Sequence, residues 1–494
     1  MPPLRNQGSF GACWAFAGLG AAEANLLKYQ TGFDRNTIDM SEVQIAYYEN
    51  SGPGIVDPLG GIEGDRDGQR VNVHSSYLNL GGNAYGTAKM LSLWIGAASE
   101  SRSRYFRYPE NDFAVYETLP DDCAFVSDGK LLGWYKAEPA DHPEEVKKLI
   151  MKYGAVSTLI YTDTKNYLPD EYNADTNAYY AFVHNVQYGQ ERNYHPGANH
   201  EVCIVGWDDT FSKDNFLYTP SRDGAWLVRN SWRSLDTYAG YGDGSYLYNQ
   251  DLQSYFWVSY DESEMDYAVA FDLTDGSFLD HNYEYDGAEG SATLTYEASR
   301  VLVANVFTAV EDEIVQYVAF DTFNIQNNDG TANYANADCT VKIYRMPEGC
   351  TTPLPENEVT DAATDIHVDY VGQNYVKLNK PVYIASGETF AALVDIPYPD
   401  GNARVTIEND SLTGTHADPG ESLLSIDGGT TWKDIGALYN ANLRVKAFTN
   451  VARRVITFDA NGGTMKKNGN DVETLEKTFM YGSSFSSLPT PTRP

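Results

Sequence analysis

The feature that most constrains the fold is a change of sequence pattern near residue 263. Before this point, segments with helical spacing of apolar residues are interspersed with short β-type runs. After it, runs of alternating apolar and polar residues are separated by Gly, Asn, Asp and Pro. The first pattern is typical of an α+β domain and the second of an antiparallel sandwich. We therefore expect an α+β domain over 1–262, an all-β sandwich over 263–449 and a short β unit over 450–494.

Two segments of the first part have the spacing of helices. One is Trp14–Gln30, in which the apolar residues Phe16, Leu19, Ala22, Leu26 and Leu27 form one stripe and Gly32 follows. The other is Pro143–Tyr153, which begins with Pro and two acids and is followed by Gly154. The expected strands of this part are Ala155–Tyr161, Glu201–Trp207, Ala225–Asn230 and Gly244–Tyr248.

Charge and hydropathy exclude several classes of protein. The formal net charge is −34, which argues against binding to nucleic acid or to an anionic membrane. We find no apolar run near the ~18–20 residues that cross a bilayer, so we expect no membrane span. Aromatic residues make up 13% of the chain, more than disordered chains carry.

The cysteine and acidic patterns give no sign of a metal or a cofactor. The five cysteines include no CxxC pair, which argues against zinc. Cys339 and Cys350 lie close enough in sequence to pair in an oxidising compartment, and the sequence leaves that pairing open. Glu63–Gly68 has half the pattern of a calcium loop, but His74 stands where the loop needs Glu. We expect a solvated acidic turn there.

Cys13 has the sequence context of a reactive thiol. It lies between a glycine-containing loop and the first predicted helix. Backbone N–H groups and the helix dipole at that position stabilise thiolate over thiol. For a lone cysteine, a buried inert thiol is the usual alternative.

The surrounding motifs resemble those of papain-like cysteine peptidases. NQGSFGACWAF around Cys13 is similar to the active-site segment of that family. NHEVCIVGW around His200 and WLVRNSW around Asn230 resemble its histidine and asparagine segments, in the same chain order. Weaker matches are Tyr153–Ser157, Met40–Glu42, Gly81–Asn83 and the acid Glu23 within the first helix. The resemblance implies a two-lobed fold with a helical lobe and a β-barrel lobe.

The resemblance assigns chemical roles to four residues. Cys13 would be the nucleophile, paired as thiolate with the imidazolium of His200. Asn230 would orient the imidazole ring through a hydrogen bond. The side chain of Gln7, together with the N–H of Cys13, would form the oxyanion hole. His195 is a weaker candidate than His200, because only His200 directly precedes a strand that would hold its ring.

Three further residues would shape the substrate cleft. Trp232 would cover the contact between histidine and asparagine, and Gly81 and Gly82 would let a substrate backbone approach closely. The glycine pair is also consistent with a plain turn. Phe10 stands where most family members have a disulfide-bonded cysteine, so we expect packing to hold this loop. Arg233 stands where most family members have a glycine.

The remainder of the chain resembles parts of bacterial surface proteins. The sandwich region is similar to a lectin-like domain, and VITFDANGGT with LPTPTRP resembles a Listeria–Bacteroides type of cell-surface repeat, here cut short. These resemblances imply a secreted or wall-attached monomer, with a signal peptide and any propeptide outside this chain. A cell-surface glycan or matrix ligand is the partner expected for the sandwich.

Three functions are therefore open at this point. The first is a surface cysteine peptidase that cleaves protein or peptide substrates through an acyl-thioester. The second is a surface adhesin or carbohydrate-binding protein whose papain-like domain is a non-catalytic scaffold. The third is amide transfer or peptidoglycan cleavage by the same cysteine and histidine, since this pair does not determine the acyl substrate. The joint presence of Cys13, Gln7, His200 and Asn230 favours the first, because decayed enzymes tend to lose one such residue.

Overall fold

The computed structural model describes most of the chain. The described residues are 1–8, 10–51, 77–107, 112–113, 119–120, 123–162, 171–181, 197–232, 255–265, 267–286, 291–322, 336–408, 417–481, 483 and 487–493. Three sequence expectations lie outside them: His195 with its loop, the acidic segment Glu63–Gly68 with His74, and the strand Gly244–Tyr248. Arg233 lies outside them as well.

The described residues of the first part form four α-helices and ten strands. The helices are α1 (Cys13–Tyr29), α2 (Glu42–Ser51), α3 (Ala84–Ser92) and α4 (Pro143–Tyr153), with single 3₁₀ turns at Tyr77–Asn79 and Lys213–Asn215. The strands are β1 (Phe106–Arg107), β2 (Asp112–Phe113), β3 (Gly129–Ala137), β4 (Val156–Ile160), β5 (Tyr172–Asn173), β6 (Ala178–Tyr179), β7 (His200–Asp208), β8 (Ala225–Arg229), β9 (Tyr255–Ser259) and β10 (Ala268–Asp275). The α+β class predicted from sequence is confirmed.

Helix α1 is the central helix of this part. Thirteen consecutive residues from Trp14 to Leu26 are buried, so protein surrounds the helix and the predicted apolar stripe covers only one of its buried sides. It packs against β7 and β10 on one side and against α2 and α3 on the other. Helix α4 has the predicted bounds, with Pro143 in its first turn and Gly154 after its end at φ 103°.

The second part forms a sandwich of antiparallel sheets. Its described strands are β11 (His281–Tyr283), β12 (Ser291–Glu297), β13 (Arg300–Thr308), β14 (Glu313–Thr322), β15 (Ala337–Arg345), β16 (Thr364–Val368), β17 (Val371–Ile384), β18 (Thr389–Pro397), β19 (Asn402–Glu408), β20 (Ser422–Ser425), β21 (Lys433–Asp434), β22 (Asn442–Leu443) and β23 (Val445–Val451). One sheet has six strands in the order β16-β15-β18-β13-β20-β21, the facing sheet has the order β11-β23-β14-β17, and a smaller sheet has the order β12-β19-β22. A core rich in Val, Ile, Phe and Ala fills the space between the sheets.

Short helical elements complete the sandwich. They are α5 (Ile435–Tyr439) and 3₁₀ turns at Pro355–Asn357 and Thr360–Ala362. Cys339 faces the inner core, whereas Cys350 packs on the outer side of the six-stranded sheet. None of the five cysteines, all of which lie in the described part of the chain, forms a disulfide. The disulfide left open by the sequence is absent because its two residues lie on opposite faces of a sheet.

One continuous sheet joins the two parts. In the order β11-β23-β14-β17-β3-β10-β4-β7-β8-β9-β6-β5, the sandwich strand β17 pairs with β3 of the first part. The paired residues are Val371 with Lys136, Gly372 with Tyr135, and Gln373 with Trp134. Backbone hydrogen bonds, and not a linker alone, thus connect the two parts.

Apolar and polar side chains reinforce this junction. Trp94 packs its ring against Phe448 at a centroid distance of 5.2 Å, in a small core shared by both parts. Across the same junction the Tyr375 hydroxyl donates to Asp272 at 2.8 Å, and the Gln373 amide donates to the carbonyl of Leu132 at 2.9 Å. The junction is therefore both packed and hydrogen-bonded.

Strand β10 follows residue 263 but belongs to the first sheet by its pairing. It pairs with β3 along its whole length and with β4 at its beginning, and it packs on α1. The boundary expected at 262/263 stays a prediction, and this pairing favours a boundary after Asp275.

The end of the chain forms a separate small β unit. Strands β24 (Arg453–Asp459) and β27 (Thr474–Met480) pair, as do β25 (Met465–Lys467) and β26 (Asn470–Val472). Ala460, Met465 and Leu475 form its core. Its likeness to a cell-surface repeat remains a prediction. Within the described part of the chain, no helix has both the length and the apolar character that a membrane span needs.

Candidate active site

Cys13 is the first residue of α1 and lies against β7. The preceding residue, Ala12, provides no side-chain cap, and its carbonyl accepts from the N–H groups of Ala15 and Phe16. Helix α1 packs on β7, the strand that begins at His200.

His200, Asn230 and Trp232 form one compact group. His200 Nε2 lies 2.7 Å from Asn230 Oδ1, and both residues are buried. The Trp232 ring stacks on the His200 ring with centroids 4.2 Å apart and an angle of 20° between the planes. Because the amide oxygen of Asn230 is an acceptor, Nε2 carries the proton and Nδ1 is left with its lone pair.

Gln7 is held at this site by several hydrogen bonds. Its Oε1 accepts from the Ser231 hydroxyl at 2.5 Å, and its backbone N–H donates to the Ser231 carbonyl at 2.9 Å. Its Nε2 donates to the carbonyl of Phe10 at 2.7 Å. An amide nitrogen has two hydrogens, and this bond uses one of them. The side chain is thus fixed with a second N–H available as a donor.

Aromatic packing holds the loop before Cys13. Phe10 meets Tyr105 edge to face, and Tyr105 meets Phe16 of α1 in the same way. The Tyr105 hydroxyl also donates to the carbonyl of Gln7 at 2.6 Å. This packing is what the sequence led us to expect where Phe10 replaces a disulfide-bonded cysteine.

The glycine pair lies against the same helix. A Cβ built on Gly82 would lie 2.4 Å from the ring of Trp14, the residue after Cys13, and Gly82 has φ +157°. Gly81 has φ +76°, and a Cβ built there would meet no described atom within 4 Å. Gly82 therefore allows close packing on Trp14, while Gly81 faces open space.

We expect Gly82→Ala and Gly81→Ala to differ in effect. Both introduce a side chain at positive φ, which lowers the free energy of unfolding by about 1–2 kcal/mol. In Gly82→Ala the new side chain also collides with Trp14. This collision lowers the free energy of unfolding by about 1–3 kcal/mol more and displaces the turn that carries Cys13. Denaturant unfolding of both variants, with Cys13 alkylation rates, measures this difference. Equal losses in the two variants would contradict the packing role of Gly82.

Burial drives both reactive groups toward their neutral forms. It raises the pKa of the Cys13 thiol to about 12, and Glu201 acts in the same direction, whereas backbone groups of Glu201, Trp14 and Cys13 act in the opposite direction. Burial lowers the pKa of His200 to about 4, although the bond to Asn230 raises it. Desolvation thus disfavours both charged forms, thiolate and imidazolium. The thiolate–imidazolium pair expected from sequence stays a prediction.

The lowered pKa of His200 leads to a specific pH dependence. Neutral imidazole is the form that accepts a proton, and His200 is protonated only below a pKa of about 4. We therefore expect kcat/KM on a peptide to fall about tenfold per pH unit below pH 4 and to stay level between pH 5 and 7. Circular dichroism over the same range excludes unfolding as the cause. An acid limb centred near pH 6.5, the ordinary value for histidine, would contradict the effect of burial.

An ion-pair cluster beneath the site explains Glu23 and the Met40–Glu42 motif. Arg5 pairs with buried Glu23, with Asp39 at 2.7 Å and with Glu42 at 2.9 Å. Among the described residues, Asp39, Glu42 and Glu100 are the group whose carboxylates lie within 4.8 Å of one another. The Arg5 guanidinium already supplies a cation to this cluster.

The structure brings His200, Asn230 and Trp232 into contact, binds Gln7 to Ser231, and packs Gly82 on Trp14. The functional roles assigned from sequence to Cys13, Gln7, His200, Asn230, Trp232, Gly81 and Gly82 stay predictions. Sequence reasoning missed two supporting residues: Ser231 anchors Gln7, and Tyr105 holds the Phe10 loop. Ser231 follows Asn230 within the same motif, so its position could have drawn attention. Tyr105 lies far away in the chain and has no local signal.

Comparisons with known proteins agree with this architecture. Residues 282–449 match the family described as Lectin like domain. The chain is similar to the crystal structure of the cysteine protease and lectin-like domains of Cwp84, a surface layer associated protein of Clostridium difficile. The two are 22% identical in sequence, the match covers 91% of this chain and 87% of the Cwp84 chain, and the TM-score is 0.62. A second structure, of the clostridial cysteine protease Cwp84 after propeptide cleavage, is 21% identical in sequence. The match covers 91% of this chain and 97% of that one, with a TM-score of 0.64.

A curated relative extends the comparison to sequence. Cysteine proteinase 2 of Entamoeba histolytica is 26% identical over 255 residues, which are 50% of this chain and 58% of that relative. The chain therefore spans little more than half the length of this relative. The first part of the chain thus has the papain-like fold of these cysteine protease structures. The part that follows it matches the family described as Lectin like domain.

Proposed function

We propose that this chain is a cysteine peptidase that cleaves peptide bonds through an acyl-thioester on Cys13. The observation that supports it most is the His200–Asn230 hydrogen bond beneath Trp232, at the start of the strand on which the helix beginning with Cys13 packs. With Nε2 bound to Asn230, Nδ1 of His200 is left to exchange a proton with Cys13. The family likeness of both domains agrees with this assignment.

The first half of the reaction forms the thioester. The Cys13 thiol gives its proton to His200 while the sulfur attacks the carbonyl carbon of the substrate. The resulting oxyanion accepts hydrogen bonds from Gln7 Nε2 and from the Cys13 N–H. The carbon–nitrogen bond then breaks, and His200 returns its proton to the leaving amine.

The second half releases the product. Water loses a proton to His200 and attacks the thioester carbonyl, the carbon–sulfur bond breaks, and the sulfur regains a proton. The products are an amine and a carboxylic acid, and Cys13 and His200 return to their starting states. Asn230 keeps the imidazole in one orientation throughout, and Trp232 shields their hydrogen bond from water.

The setting that we propose is the cell surface. Cwp84, which shares this fold, is a surface layer associated protein, and residues 282–449 match the Lectin like domain family. Protein or peptide substrates would enter the cleft, and a surface glycan or matrix component would contact the lectin-like domain. We propose that the chain acts as a secreted or wall-associated monomer.

Labelling with an epoxide thiol inhibitor tests the proposal against the non-catalytic scaffold. We expect one epoxide per chain, attached to Cys13, together with loss of peptide cleavage. His200→Ala should abolish both labelling and cleavage, whereas Cys123→Ala, which removes another partly buried thiol, should keep both. Equal modification of Cys13 and Cys123, with no cleavage of any peptide, would instead support a scaffold.

A further inference from the structure

The hydroxyl of a buried tyrosine binds the backbone of Gln7. Tyr105 is 4% exposed, and its hydroxyl donates a hydrogen bond to the Gln7 carbonyl at 2.6 Å. The Gln7 N–H and Oε1 are bound by Ser231, and its Nε2 donates to the carbonyl of Phe10. Tyr105 therefore supplies the bond to the one backbone group of Gln7 that Ser231 does not bind.

The ring of the same tyrosine contacts the chain on both sides of Cys13. It meets the Phe10 ring at a centroid distance of 6.2 Å and an angle of 79°, and the Phe16 ring at 4.9 Å and 84°. Edge-to-face contacts of this kind are favoured by the charge distribution of aromatic rings. Tyr105 thus packs on the loop before Cys13 and on the first turn of the helix that begins with it.

These contacts connect the two donors of the expected oxyanion hole. The Phe10 carbonyl accepts from Gln7 Nε2 at 2.7 Å, so the ring contact with Phe10 holds the acceptor that orients the amide. Phe16 belongs to α1, whose first residue, Cys13, carries the second expected donor. Tyr105 therefore holds Gln7 and the beginning of α1 relative to each other.

Tyr105 is itself fixed to the helical lobe. Its N–H donates to the Glu100 carboxylate, and the Glu100 N–H donates to the carbonyl of Asp39 at 2.6 Å. The Asp39 side chain pairs at 2.7 Å with Arg5, which lies two residues before Gln7. The tyrosine and the segment that carries Gln7 thus share one hydrogen-bonded framework.

We propose that Tyr105 is a positioning residue that fixes Gln7 for the oxyanion hole. The inference rests on the proposed function, in which Gln7 Nε2 binds the oxyanion. A donor stabilises a transition state best when it is held in place beforehand. A displacement of about 1 Å can lower a rate by about 10²-fold, so a bond that holds the donor affects the reaction without touching the substrate.

Steady-state kinetics of Tyr105→Phe test this role. The change removes the hydroxyl and keeps the ring. We expect kcat on a peptide to fall about tenfold, because the Gln7 donor is held less firmly, and KM to stay within about threefold, because the hydroxyl is buried. A folded Tyr105→Phe protein, checked by circular dichroism, with the kcat of the wild type would overturn the proposal.

Tyr48→Phe is a matched control for the loss of a buried hydroxyl. Tyr48 is 1% exposed and its hydroxyl donates to the carbonyl of Pro120 at 2.6 Å, the same kind of bond at the same length. This variant should keep kcat within about twofold of the wild-type value. Equal losses of kcat in Tyr48→Phe and Tyr105→Phe would show a general effect of stability and overturn the proposal.

A double-mutant cycle tests whether Tyr105 acts through Gln7. Gln7→Ala alone should lower kcat by about 10²–10³-fold. If the hydroxyl serves only to place the amide, adding Tyr105→Phe to Gln7→Ala should lower kcat by less than about threefold more. A further tenfold loss would show that Tyr105 acts independently of Gln7 and would overturn the proposal.

Hydrogen exchange of the full chain gives a readout that needs no peptide cleavage. Loss of one buried hydrogen bond makes local opening easier, so we expect the Gln7 N–H to exchange about three- to tenfold faster in Tyr105→Phe and at the wild-type rate in Tyr48→Phe. Faster exchange in a protein that cleaves nothing would support the contact and count against the proposed peptidase. Cleavage by the wild type with unchanged exchange in Tyr105→Phe would overturn the role of Tyr105 and leave the peptidase standing.

Discussion

Asn230→Ala is expected to lower kcat on a peptide by about 10²-fold or more and to leave KM within about threefold. The amide oxygen of Asn230 fixes His200 through the 2.7 Å contact to Nε2, and it also accepts from the Ser231 N–H at 2.8 Å. Without it, the imidazole loses its preferred orientation in ground and transition states alike. Substrate contacts remain, so proton transfer suffers more than binding.

Steady-state kinetics on one fluorogenic peptide measures this split. Asn173→Ala is a matched control, since the Asn173 side chain donates to the carbonyl of Asn215 away from the site. It should leave kcat within about twofold of the wild-type value. A rise in KM with kcat unchanged would show that Asn230 serves substrate binding and not the orientation of His200.

The second large effect is expected when the chain is shortened before or after β10. A chain that ends at Glu262 is expected to lose its cooperative unfolding transition, whereas a chain that ends at Gly276 should keep it. The difference between them is β10, whose Val269, Phe271 and Leu273 are at most 1% exposed. Burial of each such side chain stabilises the fold by about 1.5–3 kcal/mol. The free energy of unfolding of a whole domain is only about 5–15 kcal/mol.

Thermal unfolding followed by circular dichroism, together with epoxide labelling of Cys13, distinguishes the two chains. The longer one should unfold cooperatively and become labelled, at a lower Tm than the full chain because Trp94 and β3 lose their partners in the sandwich. Cooperative unfolding with normal labelling of the chain ending at Glu262 would contradict the central position of β10.

Local patterns explain why much of the site could be predicted from sequence. Cys13 at a helix start and His200 at a strand start each lie within a recognisable segment, and Asn230 lies between two tryptophans. Pro143 and Gly154 likewise mark the limits of α4. In each instance, the residues that determine the local structure are neighbours in the chain.

Long-range pairing explains what could not be predicted. The sequence pattern of β10 resembles that of the strands that follow it. Only its pairing with β3 and β4 assigns it to the first sheet. Cys339 and Cys350 are close in sequence, yet the sheet between them depends on distant strands. The burial that shifts the pKa values of Cys13 and His200 likewise comes from elements far apart in the chain.

The pairing of β17 with β3 has a mechanical consequence. Backbone hydrogen bonds resist sliding and bending far better than a flexible tether, so the two domains turn together as one body. Binding of the lectin-like domain to a surface would then fix the orientation of the proposed active site relative to that surface. Only substrates that can approach from this orientation would be cleaved.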